Sequence, residues 1–123
     1  MSKLITTTQD VVNFTIKFAT EGFLPELLSD TEELIIFRVV QEQLNNIIKY
    51  SKATKVTIDL FIWNRRCSLH IIDNGIGFNT QSVFKGIGLS NMRTRVESVK
   101  GKLELTSIIG KGTELNVEID LMT

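Results

Sequence analysis

The sequence predicts an α+β fold, a two-layer α/β sandwich whose mixed, mostly antiparallel sheet of about five strands is covered on one face by helices. Three observations lead there. Apolar and polar residues alternate with period two in several separate segments, two longer segments carry apolar residues at helical spacing, and the elements do not follow a strict strand–helix repeat. Strands with one apolar face need cover on one side only, and two helices suffice to provide it.

The first alternating segment places Val12, Phe14, Ile16 and Phe18 on one side and Asn13, Thr15 and Lys17 on the other, so the chain starts almost directly at a strand. A loop holding the only proline, Pro25, leads to a helix starting near Asp30 or Thr31. Asp30 is its expected N-cap, Glu32 and Glu33 suit the first turn, and Ile36, Val40, Leu44 and Ile47 form its apolar stripe. Two strands follow, with Val56, Ile58, Leu60 and Ile62 inward on one and Cys67, Leu69 and Ile71 inward on the next. A second helix is expected from about Gly88 to Val99, its stripe Leu89, Met92, Val96 and Val99, closed by Gly101. Leu103 and Leu105, then Leu115, Val117, Ile119 and Leu121, mark the last two strands.

Size and composition restrict the class. A chain of 123 residues without repeat, low-complexity segment or linker reads as one domain, residues 1–123. No apolar run approaches the length of a membrane-spanning helix, and the N-terminus lacks a secretory design. Fourteen acidic and fourteen basic side chains balance, so no net basic field points to nucleic acid or an anionic membrane. Cys67 is the only cysteine, which excludes an intrachain disulfide and suits a reducing, cytoplasmic interior.

The chemistry begins on the first long helix. Glu42, Asn46 and Lys49 are four and three residues apart and share a face, nearly opposite the apolar stripe. A carboxylate can orient a nucleophile, an amide oxygen can ligate Mg²⁺ and an ammonium can pair with phosphate. Alone, such a face is ordinary solvated helix surface. Asp73 continues the inward parity of Cys67, Leu69 and Ile71, so its carboxylate should end the buried face and need a donor, which an exocyclic amine such as adenine's would supply. Asp73-Asn74-Gly75 is also a turn sequence in its own right. Gly86 and Gly88 then open a helix, where free N–H groups favour phosphate, and the mostly polar residues 79 to 85 would form a lid. Neither glycine pair extends to G-x-G-x-x-G, since positions 80 and 91 are Thr and Asn. Gly110-Lys111-Gly112-Thr113 is no Walker sequence and reads as a hairpin turn.

Four segments in register carry a resemblance. Arg38 to Ala53 resembles the N-box of sensor histidine kinases, Asp73 to Phe78 the first glycine box, Gly86 to Leu89 the second, and Gly110 to Thr113 the late glycine-threonine turn. The short lid and the run from Gly88 to Val96 are most similar to the subfamily that partners DNA-binding response regulators. The resemblance implies the Bergerat ATP-binding fold, with ATP and Mg²⁺ as ligands. It makes Asn46 a Mg²⁺ ligand and Glu42 the N-box acid near the γ-phosphate. Lys49 would contact phosphate, and Tyr50, where the family often has His, could do so through its hydroxyl. Asp73 would accept from the adenine amine, Gly75 and Gly77 shape that wall, and Ile76, Phe78 and Leu89 border the base. Gly86, Gly88 and Leu89 would form the lid hinge and phosphate cradle, and Thr113 would help bind adenine.

The implied function is supply of the ATP γ-phosphate to a histidine on a separate dimerisation domain of the same parent kinase, with a response regulator downstream. His70 alternates away from Asp73 and is expected as a half-exposed strand residue, not the phosphoacceptor. With no dimerisation hairpin in the sequence, an excised domain or the C-terminal part of a longer kinase is the simplest account. The alternatives are a stand-alone Ser/Thr kinase of the anti-sigma type and a nucleotide-independent scaffold.

Overall fold

In the computed structural model, residues 1–22, 25–77 and 88–121 are described. The elements run α1 (Ser2–Gln9), β1 (Thr15–Glu21), a 3₁₀ turn (Pro25–Leu27), α2 (Asp30–Asn46) continuing into a π-helical turn (Ile47–Ser51), β2 (Lys55–Trp63), β3 (Arg66–Asp73), α3 (Leu89–Glu97), β4 (Gly101–Ile108) and β5 (Gly112–Asp120). The strands form one sheet in the order β1-β2-β3-β5-β4. Only the β1–β2 pair is parallel, Ile16 facing Val56; the other three pairs are antiparallel.

The alternating residues build the core as expected. Val56, Ile58, Leu60, Cys67, Leu69, Ile71, Leu115, Val117 and Ile119 are buried together with Ile36, Val40 and Leu44 of α2, Ile47 of the π-helical turn after it, and Leu89, Met92 and Val96 of α3. The β2–β3 hairpin closes through Asn64 and Arg65, both with positive φ (53° and 61°), the two-residue geometry whose twist matches the flanking strands.

Three local expectations are corrected. Residues 2–9 are helical, so the chain does not start at a strand; Ile5 of α1 is buried in the core. The N-cap of α2 is Ser29, not Asp30. Its hydroxyl accepts the Glu32 N–H at 3.0 Å while the Glu32 carboxylate accepts the Ser29 N–H at 2.8 Å, a reciprocal capping box. Gly101 opens β4 instead of closing α3; the left-handed residue there is Lys100 (φ 60°), and a Cβ on Gly101 would lie 2.7 Å from Val96 Cγ1.

Gln9 joins α1 to the sheet. Its amide nitrogen donates to the Phe14 carbonyl at 2.8 Å and its oxygen accepts the Ile16 N–H at 2.7 Å. One side chain thus mimics a neighbouring strand at the free edge of β1 and covers two main-chain groups there.

Candidate functional site

The site forms where the C-terminal end of α2 meets the end of β3 and the start of β5. Gln43, Asn46, Ile47, Tyr50, Ser51, Asp73, Gly77 and Thr113 line a small cavity of about 20 Å³ that opens to solvent. Strand pairing sets its floor, because the β3–β5 register places Asp73 opposite Thr113. The π-helical turn sets its wall. One extra residue in the last turn widens the backbone, and Lys52 ends it in the left-handed conformation (φ 53°).

Asp73 is the electrostatic centre. It is only 3 % exposed, and burial raises its pKa above the ordinary carboxylate value, opposed by the backbone N–H groups of Gly75 and Thr113 that donate to it. The Gly75 contact is 2.8 Å. Thr113 is buried as well, its hydroxyl 2.8 Å from that of Ser107.

The glycines hold the strand ends close to one another. The Ile76 N–H donates to the Ser51 carbonyl at 2.7 Å, and a Cβ on Gly75 would run into that same oxygen. Gly77 (φ 65°) sits against the Ile108 carbonyl, and Gly112 (φ 116°) against the Asp73 carbonyl, both without room for a Cβ. The Gly110 N–H closes the arrangement on the Ile76 carbonyl at 2.6 Å. The β4–β5 hairpin tip is therefore a hairpin turn, as its composition suggests, and also the brace beneath the Asp73–Gly77 segment.

Of the residues singled out in the sequence, Asn46, Tyr50, Asp73, Gly77 and Thr113 meet around the cavity. Lys49 and Ile76 are exposed and outside its lining, and Leu89 is buried in the core. Glu42 points elsewhere on the same helix, its Oε1 2.7 Å from where a Cβ on Gly88 would stand. Gly88 itself caps α3 in the left-handed region (φ 66°). Phe78, Gly86 and the segment 79 to 85 lie outside the described residues. His70 is half-buried on the far face of the sheet, its ring 5.6 Å from that of Phe61.

Sequence reasoning missed Gln43, Ile47 and Ser51 as lining residues. A signal existed for Gln43. It stands three residues after Val40 and four before Ile47, an apolar position by spacing, yet it is an amide and only 3 % exposed.

The donor set limits what a metal could use. Among the described residues no three His, Cys, Asp or Glu side chains gather into a metal cluster. A hard cation here would draw its oxygen ligands from Asn46 and from an anionic ligand, the usual arrangement for Mg²⁺ on phosphates. Nor is any described helix long and apolar enough to cross a membrane.

Comparison with known proteins gives the same outline. Residues 31–123 match the sequence profile of histidine kinase-, DNA gyrase B-, and HSP90-like ATPases. The chain is 41 % identical over 87 residues to the sensor histidine kinase LiaS of Bacillus subtilis, covering 70 % of this chain and 24 % of that protein. It is 35 % identical over 124 aligned positions to the sensor histidine kinase ComP of the same organism, covering 98 % of this chain and 16 % of that one. The chain thus spans a quarter or less of these curated relatives. Among solved structures, the histidine kinase domain of the blue-light activated histidine kinase EL346 from Erythrobacter litoralis superposes with a TM-score of 0.78 at 17 % identity, over 98 % of this chain and 58 % of that one. The Acinetobacter baumannii histidine kinase AdeS gives 0.74 at 19 % identity, over 98 % and 61 %. At such identities the structural likeness speaks for the fold.

Proposed function

Because the chain belongs to the histidine kinase-, DNA gyrase B- and HSP90-like ATPase family, we propose that it is a single ATP-binding catalytic domain that binds ATP with Mg²⁺ and presents the γ-phosphate to a histidine on a dimerisation domain of the same parent kinase, a response regulator receiving the phosphoryl group downstream. The observation that carries this reading is Asp73, a buried carboxylate on the floor of a cavity it shares with Asn46 and Thr113. A carboxylate withdrawn from water, with donors on one side and open space on the other, is suited to accept from an exocyclic amine.

In this reading Asp73 holds the base and Thr113 adds a hydroxyl beside it, while Gly75 and Gly77 keep the wall flat. Ile76, Phe78 and Leu89 supply apolar surroundings. Asn46 presents an amide oxygen to Mg²⁺, which when bound offsets charge on the phosphates. Tyr50 reaches phosphate through its hydroxyl, and Lys49, exposed one helical turn beyond Asn46, adds a mobile ammonium. Gly86, Gly88 and the Leu89 main chain form the hinge and phosphate cradle. Glu42 is the acid near the γ-phosphate, set against Gly88 where α3 begins. Catalysis of phosphoryl transfer by such a site is chiefly positioning and charge stabilisation.

Calorimetric titration with ADP, with and without Mg²⁺, tests the binding step. Saturable, Mg²⁺-strengthened binding is expected, and no heat of binding in either condition would sink the nucleotide reading. Transfer of labelled γ-phosphate to an added histidine-bearing helical hairpin, and not to a serine-bearing anti-anti-sigma protein, separates the histidine kinase reading from its Ser/Thr alternative.

A further inference from the structure

We propose that Gln43 is a second base-reading residue, whose side-chain amide nitrogen donates to a ring nitrogen of the adenine that Asp73 holds by its amine. The inference rests on the nucleotide reading above and adds a specificity determinant to it.

Gln43 is 3 % exposed, among the most deeply buried polar side chains described, and it lines the same cavity as Asp73, Gly77 and Thr113. Its oxygen is occupied, accepting from Asn46 Nδ2 at 3.5 Å, and this fixes which end of the amide points elsewhere. Its nitrogen has no hydrogen-bond partner among the described residues. The one polar side-chain atom described as both sealed from solvent and partnerless is Asn116 Oδ1, so Gln43 Nε2 is not sealed, and the open space its residue borders is the cavity.

Water reaches this amide donor only through the cavity, so a bound base that displaces the water without offering an acceptor would leave the donor unpaired at a cost on the order of 1–3 kcal/mol, and a base that offers one would avoid it. Within a lining shared with Asp73, the acceptor nearest a bound exocyclic amine is a purine ring nitrogen, since adenine carries its amine beside such nitrogens on both edges. Guanine shows a carbonyl where adenine shows the amine. It would therefore leave Asp73 facing an acceptor, and an amide donor at Gln43 cannot relieve that repulsion.

A chemical double-mutant cycle tests the proposal by calorimetry on the whole chain. The ligands are ADP and its 1-deaza, 3-deaza and 7-deaza analogues, each lacking one ring nitrogen. The variants are Gln43→Leu, which removes the amide, and Gln43→Glu, which keeps an acceptor for Asn46 but loses the donor. Wild type is expected to bind one analogue about tenfold more weakly than ADP, whereas Gln43→Leu should bind that analogue and ADP equally. Gln43→Glu should be at least as impaired as Gln43→Leu. Wild type binding all three analogues as tightly as ADP would overturn the proposal without needing any variant. So would additive losses for every analogue in Gln43→Leu, or wild-type ADP affinity in Gln43→Glu, which would reduce Gln43 to an anchor for Asn46. Failure of wild type to bind ADP at all is a separate result and overturns the nucleotide reading itself.

Discussion

Asp73 accepts the main-chain N–H of Gly75, two residues on, at 2.8 Å, so the carboxylate that closes β3 is fixed by the turn it begins. That bond constrains one oxygen and leaves the group poised between two demands. Burial disfavours its charge, and the N–H groups of Gly75 and Thr113 favour it, with burial the larger effect.

The neutral isostere should therefore separate folding from binding. In Asp73→Asn the amide oxygen can still accept from Gly75, but an amide nitrogen meets the exocyclic amine donor to donor. ADP affinity should fall at least 100-fold by calorimetry while the melting temperature holds or rises. The sign follows from the direction of the shift. A carboxyl whose folded pKa is raised contributes stability that is present below its unfolded value near 3.8 and lost as pH rises through the raised folded value. The variant should thus gain stability relative to wild type as pH rises above about 4, with the difference between the two constant below that.

Gly75→Ala tests the joint between the α2 turn and β3. A Cβ there overlaps the Ser51 carbonyl and stands 2.7 Å from Ser51 Cβ, both part of a tightly held backbone. Destabilisation of about 2–4 kcal/mol is expected from chemical denaturation, with ADP binding weakened in the folded fraction.

Cys67 should be chemically silent until the domain opens. Burial, reinforced by the Glu32 carboxylate, pushes its thiol up to about 12. Alkylation by iodoacetamide at pH 8 should proceed no faster than global or sub-global opening allows. Since the folded thiol titrates above the unfolded one, near 9.0, this group's contribution to stability is complete below pH 9 and lost as pH rises towards 12. Cys67→Ala should remove that part of the alkaline slope.

Gln9→Ala should release α1 from the sheet edge. Two hydrogen bonds, at 2.8 and 2.7 Å, are lost, and the Phe14 carbonyl and Ile16 N–H are left to water. A loss of about 1–2 kcal/mol is expected, with raised amide exchange confined to α1 and the first residues of β1. Unchanged exchange at Ile16 would show that the amide clamp does not protect that edge.

Much of the scaffold was legible because a half-buried strand records itself in alternate residues. β2, β3 and β5 were read from Val56, Leu69 and Val117 and their neighbours, and Asp73 was placed inward by parity alone. α1 was not legible. Its eight residues include three consecutive threonines, β-branched side chains that favour extended chain, and its helicity rests on tertiary contacts of Ile5 and Gln9. The π-helical turn leaves no compositional trace either, since an extra residue per turn changes spacing without changing residue type. That is why Lys49 could be assigned to the face of Asn46 by a regular wheel, yet stands outside the cavity that Tyr50 lines. Gln43 was overlooked for the opposite reason, hidden among positions whose spacing marks core.

The single parallel pairing has a kinetic consequence. The hairpins β2–β3 and β4–β5 close over two- and three-residue loops, whereas β1 meets β2 only after the whole of α2 has been laid across the sheet, Thr15 finding Lys55. β3 and β5 also pair across a long separation, Asp73 with Thr113, but each has a strand on both sides, whereas β1 is paired with β2 alone. The N-terminal edge is thus expected to form last on folding and to detach first under native conditions, while the antiparallel strands that carry Asp73 and Thr113 keep their register. A partial unfolding unit of this kind would leave the cavity floor standing after the sheet's outermost strand has gone.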